Sequence, residues 1–123
     1  MADIFLTHSY FLNFDRKQQS LGQPYAPLGT LYAAAVLREA GFNLTFHDVM
    51  FEKDPSSVIP LLEAERPLLF VIYDDGFNYL TKMCLSNMHN AAFRMCSMAK
   101  EMGAKVVVCS SDSTDQYRIY LEA

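Results

Sequence analysis

With 123 residues, 51% of them apolar, and a net charge of −4, the chain is long enough to bury one core and too acidic for nucleic acid to be its main partner. No apolar run approaches the roughly 18 residues of a membrane-spanning helix, and Asp3 interrupts any leader-like start, so no membrane partner is expected and a cytoplasmic setting is. Cys84, Cys96 and Cys109 are odd in number and too widely spaced for a zinc ribbon or finger, and they read as reduced, mostly buried thiols.

Asp3 to His8 opens the chain as a short apolar run of the kind that forms a buried parallel strand. The segment Ser9 to Ala26 follows without clear periodicity, and a connection of that length in a compact domain is usually functional or mobile. The stretch Tyr25 to Asp48 is one helix-then-strand unit. Pro27 suits a first helical turn because its missing N–H has no partner there in any case. Leu28, Leu31, Tyr32, Ala35 and Val36 recur at helical spacing on one face, and Gly41 caps the end. Leu44 to Asp48 then alternates toward a strand, with Leu44, Phe46 and Val49 as the buried positions or their neighbours.

Asp54-Pro55 has the form of an N-cap followed by a first-turn proline, and it predicts a second helix through Leu62, kept short by Pro60 and ended by Arg66-Pro67. Leu68 to Tyr73 is the most hydrophobic stretch and the candidate central strand. A long helix is expected to begin between Tyr79 and Ser86 and to end at Met102, before Gly103. Its inward face reads Cys84, Met88, Ala91, Ala92, Met95, Ala99 and Met102. Lys105 to Cys109 is the fourth strand. Ser113 and Gln116, at capping-box spacing, open a last helix. Strands alternating with helices predict a parallel sheet covered on both faces, an α/β doubly wound fold with flavodoxin-like strand order. The chain reads as a single domain and a fragment of a longer protein, with a fifth strand expected beyond Ala123. The sheet edge bared without that strand predicts some self-association.

These residues resemble a known family. Pro27-Leu28-Gly29, Tyr32-Ala33-Ala34 and Leu37-Arg38-Glu39-Ala40-Gly41, set between a first strand with a long loop and a strand ending at Asp48, are similar to the cobalamin-binding-like domain at the N-terminus of many radical-SAM enzymes. The likeness covers nearly the whole chain. It implies a Rossmann-like accessory domain that holds cobalamin, or a substrate, at the C-terminal edge of its sheet. It also implies a downstream radical-SAM barrel as partner, and the iron–sulfur cluster and S-adenosylmethionine belong to that barrel. No Cys-x-x-x-Cys-x-x-Cys occurs here, so the cluster is not expected in this chain, and catalysis by this chain alone is not expected either. Three departures from the family pattern stand out. The Asp-x-His-x-x-Gly motif of one cobalamin-binding branch is absent. Ser110-Ser111 replace the Gly-Gly pair against which the nucleotide tail lies. Asp74-Asp75 bring charge where the family often has Ser or Thr. They open an alternative: a degenerate module of the same fold that binds no cofactor and serves interaction or substrate positioning.

Ligands of open α/β sheets bind beyond the C-terminal strand ends. The first strand delivers His8, Ser9 and Tyr10 to that edge, the third delivers Tyr73, Asp74 and Asp75, and the fourth delivers Ser110, Ser111 and Asp112. Leu28 and Gly29 open the central helix, whose free N–H groups suit a phosphate or an amide oxygen. Each candidate has a plainer role beside its functional one. His8 either meets a corrin or metal or bonds a neighbouring loop. Asp74 and Asp75 either grip a hydroxyl, amide or cation or form a turn and a cap. Ser113 is explained by helix capping. The methionines at 83, 88, 95 and 102 have core spacing. His47 and His89 have no evident partner in sequence and read as surface or structural. A phosphoacceptor receiver shares this topology but needs acidic residues where His8-Ser9 stand.

Overall fold

The computed structural model of the chain describes residues 3–9, 11, 28–74, 85–109 and 117–122. Four parallel strands form one sheet: β1 (Ile4–Thr7), β2 (Leu44–Phe46), β3 (Leu69–Tyr73) and β4 (Lys105–Cys109), in the order β2-β1-β3-β4. The helices between them are α1 (Leu28–Glu39), a 3₁₀ turn (Pro55–Val58) running into α2 (Ile59–Glu65), then α3 (Leu85–Glu101) and α4 (Tyr117–Glu122). This is a flavodoxin-like three-layer α/β/α fold. Among the described residues, no helix is long and apolar enough to cross a membrane.

Strand alternation sorts the core into two layers. Ile4, Leu6 and Val71 point to one face, where Ala33, Ala34 and Leu37 of α1 cover them. Phe5, Phe70 and Ile72 point to the other face and pack with Val58, Leu62, Ala91, Ala92, Met95, Cys96 and Ala99. β1 is buried along its whole length, as a strand with a neighbour on each side and helices above and below must be. The expected central strand also has two partners, β1 and β4. Two-sided apolarity extends to β4, at the edge of the described sheet, where Val107 is 40% exposed on the α1 face.

Several boundaries fall where the residues predict. Gly41 takes the left-handed conformation (φ +94°), and the amides of Gly41 and Phe42 bond back to the carbonyls of Arg38 and Leu37. Asp54 caps through its Oδ1, which accepts from the Ser56 amide at 2.7 Å. Pro60 acts more strongly than anticipated. The first turn is 3₁₀, and a seven-residue α-helix restarts at Ile59, placing the proline in its opening turn where no N–H is required. Arg66 ends that helix at φ 46°.

Two expectations change. β2 stops at Phe46, with Leu44 and Phe46 only half-buried, and the fully buried positions are Val49 and Met50 beyond it. The periodic stripe of α1 lies on the outer side: Leu28, Tyr32 and Val36 are 58%, 66% and 67% exposed, and Leu31 is also exposed. The helix is apolar nearly all round, so spacing alone does not set its rotation. Its small residues Ala33 and Ala34 approach the sheet, and the fully buried Thr30 donates from Oγ1 to the Tyr73 carbonyl at 2.7 Å. The proposed capping pair Ser113 and Gln116, and Cys84, lie outside the described residues; of Met88 no side-chain placement is described.

Candidate site at the C-terminal sheet edge

In the order β2-β1-β3-β4, the chain leaves β1 toward α1 on one face and leaves β3 toward α3 on the other. The crevice of a doubly wound sheet opens at such a reversal. His8 and Ser9 follow β1 and Asp74 follows β3, so the topology brings them together there.

Ser9 and Asp74 clasp each other across the reversal. The Ser9 amide donates to Asp74 Oδ1 and its hydroxyl to Asp74 Oδ2, both at 2.7 Å, with Ser9 1% and Asp74 8% exposed. The two-point hydrogen bond joins the ends of adjacent strands and answers the desolvation of the buried carboxylate. The Asp74 amide donates to the Cys109 carbonyl at 2.9 Å, tying in the end of β4. Tyr73, half-buried, contributes the carbonyl that receives Thr30.

His8 is fully buried, and its Nε2 meets Asp48 Oδ1 at 2.7 Å, with the imidazole donating to the carboxylate. The Met50 amide donates to the same oxygen at 2.9 Å. Burial pushes the Asp48 carboxyl up, but the hydrogen bonds from His8 and Met50 and the adjacent imidazoles outweigh it and hold the group below its ordinary value. His47 sits beside this pair. Its carbonyl accepts from Thr7 Oγ1 at 2.7 Å, and its Nε2, buried without a hydrogen-bond partner among the described residues, lies 3.8 Å from Glu52. Burial lowers the His47 pKa, opposed by Glu52 and Asp48. Cys96 lies within the core on the α3 side, and Cys109 ends β4. Burial pushes the Cys96 thiol up to about 11, and burial with the Asp74 charge raises Cys109.

Of the residues expected at the edge, His8, Ser9, Tyr73 and Asp74 are found at the ends of β1 and β3. Leu28 and half-buried Gly29 form the first turn of α1, with Leu28 exposed. Tyr10, Asp75, Ser110, Ser111 and Asp112 lie outside the described residues. Asp48 and Thr30 were not anticipated. The signal for Asp48 was available, because the flavodoxin-like order sets β2 beside β1, and the residue ending the second stretch must then neighbour the residue ending the first. His89 has a structural role: its ring packs on Phe93 and Tyr120 at centroid distances of 5.9 and 5.8 Å. No group of three His, Cys, Asp or Glu side chains that could hold a metal occurs among the described residues.

No family model matches the chain. No curated protein matches it either. Among solved structures it is similar to a crystal structure of TesA, with a TM-score of 0.46 and 20% identity over 96% of this chain. The chain spans 66% of the length of that structure, just under two thirds.

Proposed function

We propose that this chain is a cobalamin-binding-like accessory domain of a radical-SAM enzyme, holding a corrinoid or a substrate at the C-terminal edge of its sheet for a downstream barrel. The observation that supports it most is the reversal between β1 and β3, where the ends of β1, β2 and β3 and the first turn of α1 converge on one edge. The residues that carry the family resemblance, Leu28-Gly29 and Tyr32-Ala33-Ala34, form that helix. The residues present fit a corrin, whose rim bears carboxamide donors. Asp48 offers an ionised, partly exposed acceptor, and exposed Leu28 offers apolar surface. Cobalamin, when bound, supplies a cobalt centre for methyl transfer or a radical rearrangement. His8 supplies no axial ligand in this reading, since its Nε2 is spent on Asp48 and its ring has no exposed surface.

The closure of the edge upon itself favours a second reading. Ser9 occupies both oxygens of Asp74, and a module that only positions a partner needs no more than such a self-satisfied rim. Titration with hydroxocobalamin separates the two. A shifted absorbance band and colour retained through desalting support the corrinoid reading, while a folded protein that leaves the spectrum unchanged sinks it in favour of the second.

A further inference from the structure

We propose that Asp48, rather than His8, is the edge residue that contacts the ligand, accepting a hydrogen bond from a neutral donor such as a corrin carboxamide. The inference rests on the corrinoid reading and adds a residue and a ligand group to it.

The two members of the His8–Asp48 pair are unequal. The His8 side chain is 0% exposed and that of Asp48 is 35% exposed, so the pair runs from the interior outward and the carboxylate is its outer end. Both inner donors, His8 Nε2 and the Met50 amide, converge on the single oxygen Oδ1. Oδ2 therefore keeps its full acceptor capacity with respect to the described residues, on a carboxylate whose orientation two hydrogen bonds already hold. An acceptor pre-positioned in this way loses little conformational freedom when a donor arrives. Asp48 also follows β2, directly beside β1, on the edge where doubly wound sheets take their ligands. The Ser9–Asp74 clasp offers no comparable group. There both carboxylate oxygens are engaged by Ser9 and the residue is 8% exposed. A neutral donor suits the site better than a metal ion, because Asp48's immediate partner is an imidazole that donates to it and thus brings no second ligand atom.

The test titrates the protein with hydroxocobalamin. Asp48→Asn preserves shape and leaves a carbonyl for His8 and Met50, but turns the outer group from an acceptor into a donor. Binding about ten- to hundredfold weaker, in a variant that still melts in one cooperative transition, is the expected result. Equal affinity in a folded Asp48→Asn protein overturns the inference and leaves the corrinoid reading standing, whereas a wild-type protein that binds no hydroxocobalamin overturns both. A measurement on the wild type covers a variant that does not fold: the carbon-13 resonance of the Asp48 carboxyl moves at saturation if Asp48 is the contact. An unmoved resonance, or one moved as far by magnesium chloride alone, overturns the proposal.

Discussion

The two long helices, α1 and α3, cover opposite faces of the same sheet and are held there by different means. α3 buries Ala91, Ala92, Met95, Cys96 and Ala99 and turns Asn90, Arg94, Ser97 and Lys100 outward, so its polar side admits one rotation only. α1 has apolar residues on both sides. It turns Ala33, Ala34 and Leu37 to the sheet and leaves Leu28, Tyr32 and Val36 exposed. For α3 the contrast between faces decides the packing. For α1 that contrast is missing, and residue size plus one buried hydroxyl, Thr30 on the Tyr73 carbonyl, make the decision.

Met95→Ala tests the first mode most severely. It deletes a fully buried side chain from the larger core layer and is expected to cost about 2–5 kcal/mol in urea unfolding; a loss below about 1 kcal/mol would mean that α3 is not anchored by its stripe. Thr30→Val tests the second mode. The shapes match, so the change isolates the hydroxyl, and a loss of about 1–2 kcal/mol is expected, with faster amide exchange in the first turn of α1. If stability and exchange are both unaltered, residue size alone sets the rotation of α1. Val36→Lys has the smallest effect, within about 0.5 kcal/mol, since the side chain is two-thirds exposed on the described structure. A large loss there would show that the outer face of α1 is covered.

The same contrast explains what could be read in the residues beforehand. The four strands, the parallel order and the described part of the inward face of α3, Ala91, Ala92, Met95 and Ala99, were legible because long apolar runs and an amphipathic period each point to one solution. The stripe of α1 was visible as a period but not as a direction, because Leu31, Tyr32 and Val36 are as apolar as the residues that are buried. The 3₁₀ turn before Ile59 followed from Pro60, whose effect on the preceding turn depends on how Pro55 opens it. At the site, strand ends could be named one by one, and His8, Ser9 and Asp74 were. Their partners could not be named so readily, because Asp48 is 40 residues from His8 and Asp74 is 65 from Ser9. Only strand order makes such pairs neighbours. The role of Thr30 had no signal, since a threonine in a first helical turn ordinarily bonds its own helix.

The strand order also bears on how the chain assembles as it is made. Among the described strands, β1 comes first in chain order and lies inside the sheet, with β2 on one side and β3, then β4, on the other. Each described strand after β1 pairs with one that precedes it in the chain, so none of these four needs a later strand to create its place. These four strands can therefore pair in the order of their synthesis, and the most hydrophobic of them, β3, has the edge of β1 made before it.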